Sequence, residues 1–423
     1  LAASIDLYQR YLSEYPGAAD EDEVLYQLAN AYDIDGRLEE SVAALGRLLR
    51  AYPGSRHAAE AWSRSGETDF SLGNYPQAET AYHMLIERFP ASRFYEHALY
   101  KYAWSLYAQH RNEESLTAFF DLLDRHYAAG DITDGGFAKD LPQAKREMIE
   151  DSLRAMNPAL AALGTAEPLS RFFPLNGARR YEPLLRRRLG DWYLAEERYG
   201  DAAAVFLGLA RRYPDHPLAS IFYQYAIQAY QAGDFSALAL EAKSQFVEVY
   251  GVDSHYWQVH GDKIHDGVSP ILSGYIKDLA AYYHAAARRD KAAKDFAAAA
   301  KWYAIYLRSF PAGGETPAMH FLLAEALYEG EHYEQAIAAY EQAAYGYDTH
   351  ANSAEAGYKA LLTYSEREPR LPEAQRGEWR RRAIASALRF SDRFPQDTRV
   401  DGILARSAEE LYALHDFPAA VDV

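Results

Sequence analysis

The side chains best suited to chemistry gather at His255, His260 and His265, with Asp253, Asp262 and Asp266 among them. Imidazoles and carboxylates bind transition metals when they converge on one ion. A spacing of five does not stack residues on one helix face, as i, i+4 would. Only a loop could gather them, and a solvated polar loop packed on the rest of the chain is the plainer reading. No HExxH sequence is present. The absence of Cys removes disulfides, thiolate metal sites, iron–sulfur clusters and cysteine nucleophiles. Carboxylate pairs such as Glu39-Glu40 and Glu113-Glu114 open helical stretches, where they favour the positive end of the helix dipole. They read as helix starts rather than as general acid–base pairs. No serine lies in a GxSxG turn. The chain is therefore expected to be no enzyme and to hold no cofactor and no metal. A carbohydrate- or metal-binding site in the His/Asp stretch is the alternative.

Basic runs stand at Arg179-Arg180, Arg186-Arg187-Arg188 and Arg380-Arg381-Arg382. Each is either a patch for an acidic or phosphate-bearing partner or a solvated helix face whose stems cover apolar surface. The whole chain is acidic: 44 Lys+Arg against 61 Asp+Glu leave a net charge of −17. That excludes the broad basic footprint of a nucleic-acid binder and docking on an anionic membrane by charge. No apolar run is long enough to span a bilayer. A length of 423 residues, 49% of them hydrophobic, supports a large buried core. The 35 tyrosines are in excess, and Tyr serves packing layers and wet binding faces alike.

The elements that must position these residues repeat. An aromatic–Pro pair ends a helical stretch at Tyr15-Pro16, Tyr52-Pro53 and Phe89-Pro90, with prolines 37 residues apart. The pair returns at Tyr213-Pro214, Phe310-Pro311 and Phe394-Pro395, and Tyr250-Gly251 fills the same slot 37 residues after Tyr213-Pro214. A turn marker runs alongside: Gly36-Arg37-Leu38, Gly73-Asn74-Tyr75 and His110-Arg111-Asn112, then Glu197-Arg198-Tyr199, Gly233-Asp234-Phe235 and Glu331-His332-Tyr333. Between markers the period is helical. Leu25, Leu28, Ala29 and Tyr32 share one face, and Leu38, Ser41, Leu45 and Leu48 share the facing one. Leu189, Gly190 and Tyr193, then Tyr199, Ala202, Phe206 and Leu209, repeat the pattern. Small residues at Gly190 and Ala202 let two helices approach, and Pro ends each second helix. Nothing reads as a strand or as a Gly-rich phosphate loop.

This order of Leu or Trp, small residue, Tyr, turn, Tyr, Ala, Phe or Tyr, and Pro resembles the tetratricopeptide repeat over most of the chain. The usual 34-residue unit is stretched to about 37 by residues after the aromatic–Pro step, as at Tyr52-Pro53-Gly54-Ser55. That long form resembles the bacterial cell-envelope subclass, such as the outer-membrane assembly lipoprotein and Tol–Pal-associated periplasmic proteins. The resemblance implies an all-α, right-handed solenoid of antiparallel helix pairs. It implies a scaffold for protein or peptide partners, in the periplasm or at the outer membrane. It also implies a concave groove lined by first-helix residues: Tyr26, Asn30 and Asp33; Ser63 and Glu67; Tyr100, Trp104 and Tyr107; Arg187, Asp191 and Leu194; Tyr223 and Ile227. The second unit departs from the motif, with Asp69 where an aromatic is expected and Phe70 beside it.

The layout expected is an array over 1–127, an irregular helical insertion over 128–180, a repeat pair over 181–250, a His/Asp-rich loop over 251–270 and a degenerate array over 271–423. Within the insertion, Leu141–Met156 reads as one helix, with a short second helix at 166–173. Both chain ends read as cut inside the array, so a leader or lipid anchor would lie upstream of Leu1. Such arrays draw stability from stacking of neighbours. Self-assembly through array ends or the 128–180 segment is the alternative to a receptor for other proteins.

Overall fold

Seven turns between the helices of a pair close on one residue in the left-handed region. These residues are Gly36 (φ 75°), Gly73 (77°), His110 (60°), Glu197 (57°), Asp234 (58°), Glu331 (60°) and His415 (62°). The next backbone N–H then reaches back over the helix end. Arg37 N–H donates to Tyr32 O at 2.9 Å, Asn74 to Asp69 at 2.8 Å, Arg111 to Leu106 at 3.0 Å and Arg198 to Tyr193 at 2.8 Å. This is the Schellman closure, which satisfies a carbonyl that the helix leaves open. The marker at 233–235 is offset by one residue from the expected register, because Asp234 rather than Gly233 takes the positive φ.

The computed structural model describes residues 1–127, 142–164, 167–173, 179, 181–261, 265–290 and 293–423. Its helices fall into two compact units, Leu1–Arg212 and Tyr213–Val423. The first holds α1 (Ala2–Glu14), the pairs α2 (Glu21–Ile34) and α3 (Leu38–Ala51), α4 (Ala58–Ser71) and α5 (Tyr75–Arg88), α6 (Tyr95–Ala108) and α7 (Asn112–Tyr127), then α8 (Gln143–Leu163), α9 (Glu167–Phe172) and the pair α10 (Glu182–Ala195) and α11 (Tyr199–Arg212). The second holds α12 (Ala219–Ala232) and α13 (Ser236–Tyr250), the short α14 (His255–His260), α15 (His265–Asp290) and α16 (Ala293–Ser309), α17 (Thr316–Glu329) and α18 (Tyr333–Tyr345), α19 (Ser353–Arg367) and α20 (Glu373–Arg393), and α21 (Val400–Ala413) and α22 (Phe417–Asp422). Among the described residues there is no strand. The fold class is the one expected: an all-α solenoid of consecutive helix pairs.

In α4–α5 and α10–α11 a notch on the first helix takes a ring from the second. A Cβ on Gly66 would lie 2.6 Å from the Tyr82 ring, and one on Gly190 would lie 2.2 Å from the Phe206 ring. Any side chain there would push the helices apart. Buried serines add a polar tie, with Ser41 Oγ donating to Ala29 O at 3.1 Å and Ser115 Oγ to Ala103 O at 2.9 Å. Three second helices end in an aromatic residue that leaves the helical region: Tyr52 (φ −132°), Phe89 (−128°) and Phe394 (−127°), each followed by Pro.

Two expected interruptions are largely helical where they are described. α8 runs seven residues beyond Met156, through Pro158, and packs on α6, α7 and α10. Residues 128–141 lie outside the described set. In the 251–270 stretch, α14 and the start of α15 replace the expected loop. Ser254 caps α14, accepting from Trp257 N–H at 3.3 Å. Tyr256 is buried, and its hydroxyl donates to Pro217 O at 3.0 Å.

Candidate functional site

The notch register places residues three before, one after and four after the small residue on one stripe of each first helix. In α2 that stripe is Tyr26, Asn30 and Asp33, counted from Ala29. It faces the next first helix, α4. The Tyr26 ring stacks on His57 at 4.2 Å and 15°, and its hydroxyl donates to Glu60 Oε1 at 2.7 Å. Arg64 donates to Asn30 Oδ1 at 2.5 Å and to Asp33 Oδ2, with its guanidinium 5.3 Å from the Tyr26 ring. Asp33 Oδ1 is buried and accepts no hydrogen bond. Glu23, one turn earlier, accepts from Gln27 at 2.9 Å, from Arg56 at 2.5 Å and from His57 at 2.7 Å. These bonds hold its carboxyl down at about 2.

In α4 the register is unshifted, because Gly66 meets Tyr82 as Gly190 meets Phe206. Asp69 is therefore buried in the pair, where loss of solvent raises its carboxyl above the usual range. Phe70 takes the stripe, with Lys101 of α6 4.4 Å from its ring centre. Glu67 accepts from the Tyr82 hydroxyl and from His97, both at 2.8 Å, and lies 3.9 Å from Lys101. Burial pushes the Glu67 carboxyl up, but the His97 and Tyr82 hydrogen bonds and the Lys101 charge outweigh it, leaving it below the usual range. Ser63, expected on the groove, is buried: a short side chain at that position cannot reach past its neighbours.

In α6 the stripe is aromatic and half-buried. Tyr100 meets Trp104 edge-on at 6.3 Å, and Trp104 meets Tyr107 at 5.6 Å and Phe119 at 6.1 Å. The Tyr100 hydroxyl lies 3.4 Å from Asp151 of α8, and Lys145 pairs with Glu96 at 2.9 Å. In α10, Arg187 and Asp191 pair with each other at 2.8 Å, with the half-buried Leu194 one turn on. Unit 1 thus places Tyr26, Asn30, Asp33, Glu67, Tyr100, Trp104, Tyr107, Arg187, Asp191 and Leu194 on first-helix stripes. Tyr223 and Ile227 of unit 2 are both buried. The Tyr223 ring turns to Phe246 and Tyr250 of its own second helix, and its hydroxyl donates to Gln245 at 2.7 Å.

The partners of the stripe were missed in the sequence: His57, Glu60, Arg64, His97 and Lys101. Their signal was complementary chemistry 34 residues ahead, as in Tyr26 to Glu60, Asn30 to Arg64 and Glu67 to Lys101.

The basic runs are dispersed. Arg179 grips Asp124 with three nitrogen–oxygen contacts of 2.8–3.0 Å, and Arg180 lies outside the described residues. Arg186 is 1% exposed and pairs with Glu182 at 2.8 Å, while Arg188 pairs with Glu150 at 2.9 Å. Arg380 pairs with Glu368 at 2.6 Å, and Arg382 lies 5.1 Å from the Trp379 ring centre. In the His/Asp stretch, His260 Nε2 lies 2.8 Å from Asp215 O, and His255 3.7 Å from the Asp215 carboxylate. Asp253 turns away from both, pairing with Arg308 at 3.2 Å. Asp262 lies outside the described residues, as do the side chains of His265 and Asp266. Among the described residues no three His, Asp or Glu side chains gather to hold a metal, and no helix is long and apolar enough to cross a membrane.

Residues 23–55 and 60–92 match the tetratricopeptide repeat family. No curated protein matches the chain. Solved structures similar to it include the C-terminal part of a TPR repeat-containing protein from Cytophaga hutchinsonii, with 16% identity over 70% of this chain and 98% of that one and a TM-score of 0.27. The TPR domain of P58(IPK) is 12% identical over 93% of this chain and 99% of that one, with a TM-score of 0.24. The TPR2AB domain of yeast Sti1, solved in complex with an HSP90 peptide, is 10% identical over 82% and 98%, with a TM-score of 0.25. The α2/α3 and α4/α5 pairs, each closed by a Schellman turn, are tetratricopeptide repeats.

Proposed function

We propose that this chain is a non-enzymatic scaffold that binds partner proteins or peptides on the first-helix face of unit 1, in the bacterial periplasm or at the outer membrane. The observation that carries the binding reading is the row Tyr100, Trp104 and Tyr107, half-buried and edge-to-face on α6. Flat amphipathic rings held in place by packing lose little freedom on binding, and such residues anchor interfaces. The charges around the row, Lys101, Asp151 and Glu67, would select among partners more than add affinity. The envelope setting draws its support from the 37-residue spacing and the aromatic–Pro steps.

Affinity capture from a bacterial envelope extract, read by mass spectrometry, tests both parts. Wild type is compared with a Tyr100→Ala/Trp104→Ala/Tyr107→Ala variant whose helicity is checked by circular dichroism. A partner held by wild type and lost by the folded variant is the expected result. A partner held equally by both would move the site elsewhere, and only cytosolic partners would overturn the envelope setting.

A second reading, self-assembly, draws on the exposed apolar side chains Tyr412, Phe417 and Val421 on α21 and α22. Mass by light scattering over a wide concentration range tests it. A constant monomer would end it.

A further inference from the structure

The arginines at 380–382 do not act as a run, because Arg380 is taken by Glu368 at 2.6 Å. Arg382 belongs instead with Arg389 and Arg393, since steps of seven and four residues return to one stripe of α20. All three side chains are exposed, while Ile384, Ala387 and Ser391 are buried on the other side of the helix, which packs on α19 and α21. Each guanidinium is held by a neutral group. Arg382 lies 5.1 Å from the Trp379 ring centre and Arg389 4.2 Å from the Tyr345 ring centre, and Arg393 donates to Tyr347 O at 3.4 Å. Among the described residues none of the three meets a carboxylate at ion-pair distance, Glu378 and Asp392 of the same helix included. Glu341 of α18 accepts from Ser386 at 2.6 Å. Other arginines of unit 2 are neutralised: Arg370 pairs with Glu366 at 3.0 Å, and Arg399 with Asp397 at 2.8 Å and Glu355 at 2.7 Å.

A ring face or a carbonyl orients a guanidinium without cancelling its charge. Three uncompensated positive charges therefore stand in a row about 16 Å long, in a chain of net charge −17. The planar fork of each guanidinium matches a carboxylate, which it can grip with two hydrogen bonds. The length of the row selects the partner. Charges in physiological salt are screened beyond about 8 Å, so a segment no longer than the row meets little besides the arginines. A nucleic acid or an anionic bilayer would extend past the row and lie against the rest of a strongly acidic chain.

We infer that the Arg382–Arg389–Arg393 stripe docks a short carboxylate-rich segment of a partner protein, each guanidinium taking a carboxylate while its ring or carbonyl contact holds it in place. The inference extends the partner-binding reading to a second helix of unit 2 and does not need the unit 1 face.

The probe is a hexaglutamate peptide, about 20 Å long when extended, capped at both ends and carrying a neutral dye. It is titrated against the whole chain by fluorescence anisotropy at low salt, with hexaglutamine as the uncharged control. Hexaglutamate is expected to bind and hexaglutamine not. Arg382→Gln/Arg389→Gln/Arg393→Gln should weaken hexaglutamate at least about tenfold, because exposed pairs are individually weak and act here as a set. The three side chains are exposed, so the variant should keep its helicity and melting temperature. Arg37→Gln/Arg198→Gln/Arg289→Gln removes the same formal charge from arginines already paired with Glu40, Asp201 and Asp290. It should leave the affinity within about twofold of wild type. No hexaglutamate binding, or equal loss in the two triple variants, overturns the inference. So does tighter, stripe-dependent binding of oligothymidylate or of phosphatidylglycerol vesicles, which would assign the stripe to another class of polyanion. A wild-type dimer that the stripe variant dissociates also overturns it, because the stripe would then belong to a second copy. Loss of capture by the Tyr100/Trp104/Tyr107 variant is a separate result, so the two readings fail independently.

Discussion

The Tyr26 hydroxyl donates to Glu60 at 2.7 Å, and the two residues are 34 apart in a chain whose markers repeat every 37. The difference is close to one helical turn. Here α2 contacts α4 a turn nearer the start of α4, and a side chain that would line an open face leans on its neighbour first. The same offset joins Asn30 to Arg64 and Glu67 to Lys101 in unit 1, and Glu325 to Lys359 at 2.7 Å in unit 2. The face of unit 1 is thus a set of mutually satisfied charges interrupted by one aromatic row, which is why the row and not the charges is the anchor proposed for a partner.

Arg64 is the first place to test this lattice. It is the cation that answers both Asn30 and Asp33, and Asp33 already has one buried oxygen without a partner. Arg64→Ala should cost about 1.5–3 kcal/mol, the range for hydrogen bonds to charged groups. In the double-mutant cycle with Asp33→Ala, the second substitution should cost much less than it does alone. Denaturant titration of the four proteins checks it. Additive losses would mean the two side chains do not communicate.

The left-handed turn residues give a second test. Glu197 and Asp234 hold φ near 58°, which crowds a Cβ against the backbone, whereas Gly36 (75°) and Gly73 (77°) take the left-handed region without one. Glu197→Gly and Asp234→Gly should each stabilise by about 0.5–1 kcal/mol, and Gly73→Ala should cost about 1 kcal/mol. Opposite signs at equivalent turns, read from denaturation midpoints, are the signature. Destabilisation by Glu197→Gly would show that the Glu197 side chain matters more than its backbone.

The helix pairs were legible because their signals are local: Leu25, Leu28, Ala29 and Tyr32 at helical spacing, Pro53 and Pro90 as stops, Gly36 and Gly73 as turns. The face was less so. Which way a stripe residue turns depends on what the neighbouring helices offer, and that is not local. Tyr223 occupies the position of Tyr26 but finds Phe246 and Tyr250 within reach, so it packs inward. Arg186 sits in a run of three arginines that reads as a patch, yet Glu182 one turn back and the bare Gly208 opposite make room for it inside the pair. α8 was read as an irregular insertion because it lacks both the aromatic–Pro stop and the turn marker, though it packs on α6, α7 and α10.

Acid should loosen the α2–α4 contact through Glu23. Hydrogen bonds from Gln27, Arg56 and His57 lower its carboxyl from 4.5 to about 2. A carboxyl lowered on folding favours the folded state above its unfolded value and stops doing so as the pH falls through its folded value. The stabilisation is therefore full at neutral pH and fades between about 4.5 and 2. Glu23→Gln should melt below wild type at pH 7, and the gap should close across that window. A gap that stays constant down to pH 2 would assign the loss to shape and not to charge.

The buried pair Glu182–Arg186 separates stability from specificity. Both side chains lie inside the α10–α11 pair, 2.8 Å apart, with an Arg186 nitrogen 3.3 Å from Val205 O. Removing one partner strands the other charge away from water, so Arg186→Ala should cost about 3–5 kcal/mol. Replacing both, as in Glu182→Leu/Arg186→Met, removes the desolvation cost along with the attraction and should come out near neutral. If the double variant also keeps a sharp, single unfolding transition, the pair is not what fixes the register of this repeat. If it melts broadly with its helicity intact, the guanidinium beneath Gly208 is a registration peg. A cation of fixed shape in a space no apolar side chain fills as well would then hold α10 and α11 in one alignment, at some expense in stability.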